Sequence, residues 1–267
     1  MGRIGPIGVF DSGVGGLSVL RHLRQRLPGE DLLYIADQAY CPYGPRPASE
    51  IRQRARTLST WLVGQGAKAL VVACNTATAA AVAELRHHYE PTIPVIGMEP
   101  AVKPAAAATR NGIVGVLATA GTLASTRYAA LLARFASHIR VVSRPCPELV
   151  ALVEAGDITS QHAQRTVAHC LAPLQGAGVD TIILGCTHFP PLRPLLEPLL
   201  GAEVAIIDTG SAVARQVQRR LGEQHLLRGT NDQGRIWMGV TGETKPAETA
   251  LAAVWGTDYP EPQLLLL

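Results

Sequence analysis

Two cysteines stand at matching places in the sequence and could carry proton-transfer chemistry. Cys74 follows the apolar run 69–72, and Cys186 follows the apolar run 181–184. A short polar triplet comes next in both cases, and we expect each triplet to start a helix. Each cysteine would then lie at the carboxyl end of a buried strand, where open α/β sheets bind their ligands. A helix N-terminus also favours the thiolate form of a cysteine.

A pair of thiols on two sides of one site has three chemical uses. The thiols could form a disulfide, bind a soft metal, or act as two acid–base groups. His188 is the one metal-ligating side chain close to them in sequence, and a zinc site needs more ligands, so we expect no metal. Inverting a stereocentre needs one group that removes a proton and a second that returns one on the opposite face. A near-symmetric pair of thiols meets that need.

Polar residues beside the cysteines could assist this chemistry. His188, two positions after Cys186, would form a thiol–imidazole acid–base pair. Neutral hydrogen-bond donors for a carboxylate and an amine are available from Ser12, Asn75, Thr76 and Thr187.

The other three cysteines are expected to be structural. Cys170 lies inside a predicted helix, Cys41 precedes a proline, and Cys146 stands between two prolines. Free buried cysteines commonly behave as small hydrophobic residues.

A glycine-rich loop, 11–16, follows the first predicted strand and precedes a helix. Its backbone N–H groups would suit an anion. The loop matches neither the dinucleotide nor the P-loop fingerprint, so a small carboxylate is a better ligand than a nucleotide. A structural turn that only packs the helix on the strand is the alternative.

A second loop, 40–45, is rich in proline and glycine, a composition typical of turns. It could close over a ligand with Tyr43 and Gly44. A rigid surface turn explains the same composition.

The elements that must position these residues alternate along the chain. Short apolar runs without clear alternation predict strands buried in parallel sheets, at 7–10, 32–35, 69–72, 95–97, 114–117, 139–142, 181–184 and 204–207. Helices are predicted at 17–27, 48–63, 76–88, 161–174, 191–199 and 210–221. This order predicts an α/β fold with parallel sheets. In the helix 48–63 the apolar positions share one face, which would leave the arginines outside.

A weak internal repeat predicts two pseudo-symmetric lobes. The segment 8–13 resembles the segment 115–120, an offset of 115 − 8 = 107. The predicted architecture is one lobe from residues 1–97 plus about 208–267 and a second from about 98–207, with the site between them. The boundary is expected in the proline-rich stretch 91–104. The end of the chain, 258–267, looks peripheral, and its four leucines are either a docking strip or a frayed end.

Composition excludes several classes of protein. The chain has 267 residues and a formal charge of 24 − 21 = +3, too small a surplus to indicate nucleic-acid binding. No apolar run is long enough to span a membrane, and no secretory signal begins the sequence. The odd number of cysteines, five, then indicates free thiols in a reducing cytoplasm.

Four motifs in order resemble the glutamate racemase family, within the aspartate/glutamate racemase superfamily. They are Asp-Ser-Gly-Val-Gly-Gly-Leu at 11–17, Pro-Tyr-Gly at 42–44, Ala-Cys-Asn-Thr-Ala at 73–77 and Leu-Gly-Cys-Thr-His-Phe-Pro at 184–190. The resemblance runs from about residue 5 to 220. It implies an isomerase that racemises glutamate without a cofactor, and a role in supplying D-glutamate for peptidoglycan.

The resemblance also implies roles for individual residues. Cys74 and Cys186 would be the two acid–base thiols, with Asp11 assisting the first and with Glu154 and His188 assisting the second. Glu148 is a weaker alternative to Glu154. Glutamate would be held by Asp11, Ser12, Tyr43, Gly44, Asn75, Thr76, Thr119, Thr122, Thr187 and His188.

Other readings stay open at this point. One is a racemase of the same superfamily that acts on aspartate or another amino acid. Another is a non-catalytic protein that binds an anion and uses the thiols as a redox switch. A homodimer is also an expectation, because an apolar helix surface on a two-lobed enzyme could self-associate.

Overall fold

Buried apolar strands alternate with helices through most of the chain. The computed structural model describes residues 5–90, 92–230 and 232–267. Within them the strands are β1 (Ile7–Asp11), β2 (Leu32–Ala36), β3 (Ala69–Val72), β4 (Val95–Ile96), β5 (Ile113–Ala118), β6 (Arg140–Pro145), β7 (Thr181–Leu184), β8 (Ala205–Ile207), β9 (Ile236–Thr241) and β10 (Gln263–Leu265). The α-helices are α1 (Leu17–Arg26), α2 (Ala48–Gly64), α3 (Asn75–Tyr89), α4 (Val102–Ala108), α5 (Ala120–Leu123), α6 (Thr126–Phe135), α7 (Pro147–Glu154), α8 (Gln161–Gly176), α9 (Arg193–Leu200), α10 (Gly210–Glu223) and α11 (Thr244–Trp255). Short 3-10 helices cover Val14–Gly16, Gln38–Tyr40 and Pro190–Leu192.

The strands form two parallel sheets with the same central order. The first sheet runs β10-β9-β2-β1-β3-β4, and the second runs β6-β5-β7-β8. Within β2-β1-β3-β4 and β6-β5-β7-β8, the first strand along the chain is always second in space. All pairings are parallel. The predicted α/β fold with two pseudo-symmetric lobes is therefore confirmed.

The register places the two cysteines at equivalent positions. Phe10 on β1 pairs with Val72, the last residue of β3. Leu117 on β5 pairs with Leu184, the last residue of β7. Each of the two cysteines follows two positions after its strand, so the repeat in the sequence corresponds to a repeat in space.

The end of the chain completes the first sheet. Strand β9 pairs with β2, and β10 pairs with β9 in parallel. The expectation of a peripheral position is confirmed, because β10 is the edge strand of this sheet, and the expectation of a frayed end was wrong for 263–265. The backbone of 263–265 is held by a neighbouring strand, and Arg54 donates a hydrogen bond to the carbonyl oxygen of Leu267.

Helix α2 packs as its spacing predicts, with one exception. Ile51, Ala55, Leu58 and Leu62 are buried. Arg54 is also buried, although the arginines of this helix were expected outside. Its guanidinium forms an ion pair of 2.8 Å with the buried carboxylate of Asp37, and a buried charge is tolerated when it is paired and hydrogen-bonded.

The two sheets share much of one hydrophobic cluster. That cluster joins residues of β1 and α1 with residues of β7, α7 and α8. Pro91, at the start of the predicted boundary stretch, and residues 1–4 of the predicted first lobe lie outside the described residues. Among the helices that are described, none is both long enough and apolar enough to cross a membrane.

Candidate active site

Cys74 lies between β3 and α3 and caps that helix. The N–H of Ala77 donates a hydrogen bond to its Sγ at 3.4 Å, and its thiol points at the Ser12 hydroxyl, 3.9 Å away. The residue is buried. Burial, together with the nearby charge of Asp11, raises the pKa of this thiol well above its usual value. The helix N-terminus was expected to favour the thiolate, but here desolvation outweighs it.

Asp11, the last residue of β1, is fully buried beside Cys74. Its carboxylate accepts hydrogen bonds from the N–H of Ser12 at 2.7 Å and of Gly16 at 2.5 Å. The hydroxyl of Thr187 also donates to it, at 3.2 Å. Burial raises the pKa of Asp11, and the charge of His188 only partly offsets that effect. The predicted partner of the first thiol therefore lies in contact with it.

Cys186 follows β7, but it does not start a helix. The chain turns through residues 187–189, and the next α-helix, α9, begins at Arg193. The expectation of a helix N-terminus at this cysteine was therefore wrong. A Pro-Pro pair at 190–191 follows the turn and forms a 3-10 turn before the helix. In place of a helix end, the Sγ of Cys186 has the Nδ1 atom of His188 at 3.7 Å.

His188 forms a buried pair with Glu154 from the end of α7. The Nε2 of His188 is 2.5 Å from Oε1 of Glu154. Burial opposes the charged form of both groups. Even so, the hydrogen bonds that its ring donates to Cys186, Cys41 and Glu154 raise the pKa of His188 well above its usual value. For Glu154, the contact with His188 lowers the pKa despite burial. The pair is thus an imidazolium and a carboxylate near neutral pH.

The Glu154 carboxylate is also fixed by the opposite lobe. It accepts hydrogen bonds from the N–H of Val14 at 2.9 Å and the side-chain amide of Gln38 at 2.7 Å. Glu154, which the resemblance assigns to Cys186, is therefore held by the glycine loop that lies beside Cys74. The alternative acid, Glu148, lies elsewhere, against Cys170.

Cys41 belongs to this cluster, although the sequence indicated a purely structural cysteine. The ligand atoms of Cys41, Glu154 and His188 lie within 4.8 Å of one another. Burial raises the pKa of Cys41 to about 12, partly offset by its hydrogen bond with His188. These three side chains could hold a metal, but Glu154 and His188 already bind each other. The cysteine was missed because nothing in the sequence shows that loop 40–45 folds back over His188.

The glycine loop binds the protein's own carboxylates. The N–H groups of Ser12 and Gly16 donate to Asp11, and that of Val14 donates to Glu154. The expectation that this loop presents its amides to a ligand anion was wrong for these three groups. At Gly15 a Cβ would stand 2.4 Å from Nδ1 of His188, so glycine is required by the approach of the imidazole.

The predicted substrate-binding hydroxyls converge from the two lobes. The Oγ1 atoms of Thr76 and Thr119 are 2.8 Å apart, and that of Thr122 is 2.9 Å from Thr119. Asn75 begins α3 beside them. The nitrogen and the oxygen of its side-chain amide are buried without a hydrogen-bond partner. Unpaired buried polar atoms are rare and costly, so this amide is suited to a bound polar molecule.

The loop 40–45 is anchored as well as placed over the site. The hydroxyl of Tyr43 donates to Asp37 at 2.5 Å, and burial raises the pKa of Tyr43 far above its usual value. A Cβ at Gly44 would come 3.3 Å from the Thr119 side chain. The small residue therefore lets the loop meet the second lobe.

Most of the predicted residues surround one cavity between the two sheets. It is lined by Ser12, Pro42, Tyr43, Gly44, Cys74, Asn75, Thr76, Thr119, Val150, Cys186, Thr187 and His188. Asp11, Glu154 and Thr122 are not among the lining residues and instead hydrogen-bond to residues that are. Val150 on α7 was missed, because a valine in an apolar helix carries no chemical signal. The cavity is narrow, with an empty volume of about 260 Å³.

Comparison with known proteins agrees with this geometry. The Asp/Glu/hydantoin racemase family model matches residues 7–217. The chain is 56% identical to a glutamate racemase of Pseudomonas aeruginosa over 252 residues, which cover 94% of each protein. The fold is similar to a crystal structure of Francisella tularensis glutamate racemase in complex with D-glutamate, with a TM-score of 0.85, 28% identity and coverage of 99% of this chain and 98% of that one. The fold is also similar to a crystal structure of Escherichia coli glutamate racemase in complex with L-glutamate and the activator UDP-MurNAc-ala. For that pair the TM-score is 0.84, the sequence identity is 33%, and the match covers 98% of each chain.

Proposed function

We propose that this chain, which belongs to the Asp/Glu/hydantoin racemase family, interconverts L- and D-glutamate by transferring protons between two thiols and the α-carbon. The observation that carries the proposal is the placement of Cys74 and Cys186. They reach one cavity from equivalent positions of two sheets. Relatives 54–56% identical over 94% of the chain carry the name glutamate racemase.

The mechanism uses the two sulfurs in opposite roles. In one direction a thiolate removes the α-proton and becomes a thiol, while the opposite thiol donates its proton to the other face of the carbanion and becomes a thiolate. In the reverse direction the roles exchange. No bond other than the two C–H and two S–H bonds changes, so no cofactor is required.

Each sulfur needs a neighbouring group that controls whether it is a thiol or a thiolate. Asp11 lies against Cys74, and burial raises its pKa above that of an ordinary carboxyl group, which favours its role as a proton acceptor and donor for that sulfur. His188 lies against Cys186, and its raised pKa keeps a positive charge beside that sulfur. Glu154 acts as a positioning residue, since it holds His188 and does not itself line the substrate cavity.

The substrate would be held by the polar groups around the cavity. The unpaired amide of Asn75 and the three threonine hydroxyls supply donors for a carboxylate. The Thr187 hydroxyl donates a hydrogen bond to Asp11, and the Ser12 hydroxyl lies beside the sulfur of Cys74. Little of this cavity is wide enough for a water molecule, so we expect the loop 40–45 or the two lobes to move when glutamate enters.

The test is optical. Purified, reduced protein is added to L-glutamate, D-glutamate or L-aspartate with a chelator and without pyridoxal phosphate, and circular dichroism is followed. Decay to zero from both glutamate enantiomers, with aspartate unchanged, supports the proposal. Decay with aspartate alone would keep the mechanism and change the substrate. No decay with any of them, on folded protein, contradicts the proposal and favours a binding protein.

Further features are proposed with this function. The product D-glutamate would supply peptidoglycan synthesis in the cytoplasm, consistent with five free cysteines. The two lobes would comprise 1–97 plus about 208–267 and about 98–207, supported by the membership of the two sheets and by the packing of α10 against α1. A homodimer is also proposed, and sedimentation equilibrium would test it.

A further inference from the structure

A second group of metal-ligating side chains lies outside the candidate active site. Cys146 precedes α7, Glu148 stands in the first turn of that helix, and Cys170 faces them from α8. Their ligand atoms all lie within 4.8 Å of one another. Cys170 donates a hydrogen bond to Oε1 of Glu148 at 3.0 Å. The proposed racemisation uses none of these three residues.

The two thiols are sealed in the core, and the carboxylate faces outward. Cys146 and Cys170 are fully buried, whereas Glu148 is half-buried. A cation could therefore reach the thiols past the carboxylate. Contact with Cys146, burial and Glu148 together raise the pKa of Cys170, so in the unbound state the sulfur keeps its proton.

We propose that Cys146, Glu148 and Cys170 form a binding site for a thiophilic divalent cation such as Zn²⁺. Zinc binds thiolate sulfur at about 2.3 Å and carboxylate oxygen at about 2.0–2.2 Å. Tetrahedral ligands at those lengths stand roughly 3.5–4 Å apart, so a group whose ligand atoms all lie within 4.8 Å of one another needs only small shifts to bind the ion. Three protein ligands would leave the fourth position to water.

Charge balance favours the cation. With both thiols protonated, the group carries one negative charge from Glu148. Binding of a divalent cation releases two thiol protons to solvent, and two thiolates, one carboxylate and the cation again sum to one negative charge. The core therefore gains no net charge on binding.

A disulfide is the competing use of this cysteine pair. It would need an oxidant, whereas metal binding needs none. A disulfide also leaves Glu148 without its sulfur donor. The presence of the Glu148 carboxylate as a third ligand therefore favours metal binding over disulfide formation.

The test is a titration of the full-length, metal-stripped protein, kept reduced with a phosphine, with Co²⁺ and then with Zn²⁺. Thiolate ligation of Co²⁺ produces a near-ultraviolet charge-transfer band, and Zn²⁺ should displace it. We expect Cys170→Ser to lose at least half of the band. Glu148→Gln should keep the band but weaken Co²⁺ binding about tenfold or more, because a ligand is lost.

Cys41→Ser is the matched control, since Cys41 belongs to the other cluster of possible ligands. Its band should equal that of the wild type. A wild type without a band, or a band lost in Cys41→Ser and retained in Cys170→Ser, overturns the proposal. If Cys170→Ser does not fold, Glu148→Gln decides, and unchanged Co²⁺ affinity there overturns it too. Far-ultraviolet circular dichroism checks folding, so the outcome is independent of whether the protein racemises glutamate.

Discussion

The two cysteine junctions have the same backbone position but different chemical surroundings. Cys74 caps a 15-residue helix and lies against a buried carboxyl group. Cys186 lies in a turn without a helix and faces an imidazolium held by Glu154. The sheet repeat thus fixes where the two sulfurs stand, and each sulfur has a different neighbouring group, a carboxyl for Cys74 and an imidazole for Cys186. The proposed reaction treats two mirror-image substrates alike, although the groups beside the two sulfurs differ.

The largest effect is expected from removing either sulfur. Cys74→Ala and Cys186→Ala should each lower racemisation by about 10²–10⁴-fold or more, because one proton transfer loses its acid–base group. Each variant should still exchange the α-proton of one enantiomer with deuterated water, and the two variants should differ in which one. Circular dichroism and proton NMR measure the two rates.

Cys170→Ala is the control for loss of a thiol away from the cavity, and it should racemise at a rate close to that of the wild type. Full activity in Cys74→Ala would contradict the two-thiol mechanism. Exchange of the same enantiomer in both cysteine variants would contradict the assignment of one sulfur to each face.

The second effect separates the partners of the two sulfurs. Asp11→Asn and Glu154→Gln should each reduce the rate roughly tenfold to a hundredfold, a smaller loss than that of a thiol. Because the equilibrium constant is one, kcat/KM must stay equal in both directions for any variant. Asymmetry will appear instead in the primary isotope effect with α-deuterated substrates. Asp11→Asn should raise it for one enantiomer and Glu154→Gln for the other. A rise for the same enantiomer in both variants would show that the partners do not serve different sulfurs.

The Glu154–His188 pair should also make stability depend on pH. The lowered pKa of Glu154 stabilises the fold above the usual value of about 4.3, and this contribution is lost as pH falls through the folded pKa. The raised pKa of His188 stabilises the fold below about 6.5, and this contribution is lost as pH rises through the folded pKa. The free energy of unfolding in urea should differ most between wild type and Glu154→Gln between about pH 5 and 6, where the variant should be less stable by about 3 kcal/mol. A difference in the free energy of unfolding that grows above pH 8 would contradict the positive charge on His188.

The smallest expected effect concerns the helix cap. Cys74→Ala removes the sulfur that accepts the N–H of Ala77, and should cost about 0.5–1 kcal/mol through that lost cap. Cys186→Ala removes no cap and should cost less. Cys74→Ser restores an acceptor and should recover most of the loss, as measured by chemical denaturation. Equal losses in both alanine variants would show that the cap contributes nothing.

The sequence predicted the repeated framework because burial leaves a clear local pattern. Runs such as 69–72 and 181–184 became strands with those bounds. The missed helices had weaker but real signals. Thr119 and Ser125 accept N–H groups as helix caps, and Pro147 opens α7. Strands β9 and β10 were missed because the sequence after residue 225 has no repeat partner.

The site was harder to predict where it depends on contacts between distant segments. The placement of Cys41 beside His188 depends on how a loop folds back, and sequence spacing carries no such information. The same holds for Arg54, whose burial is explained only by Asp37. His188 beside Cys186 could be predicted, since two residues of separation at a turn suffice. The binding and catalytic roles of these residues are still predictions for the experiments above.

The hydrophobic cluster that joins β1 and α1 to β7, α7 and α8 has a consequence for folding. Residues of both lobes share this cluster, so we expect the two lobes to unfold in one cooperative transition. Calorimetric and van't Hoff enthalpies should then agree. A chain cut between the lobes would expose apolar surface on both fragments and favour their aggregation. We therefore expect the two lobes, although each has its own sheet, to fold and unfold together.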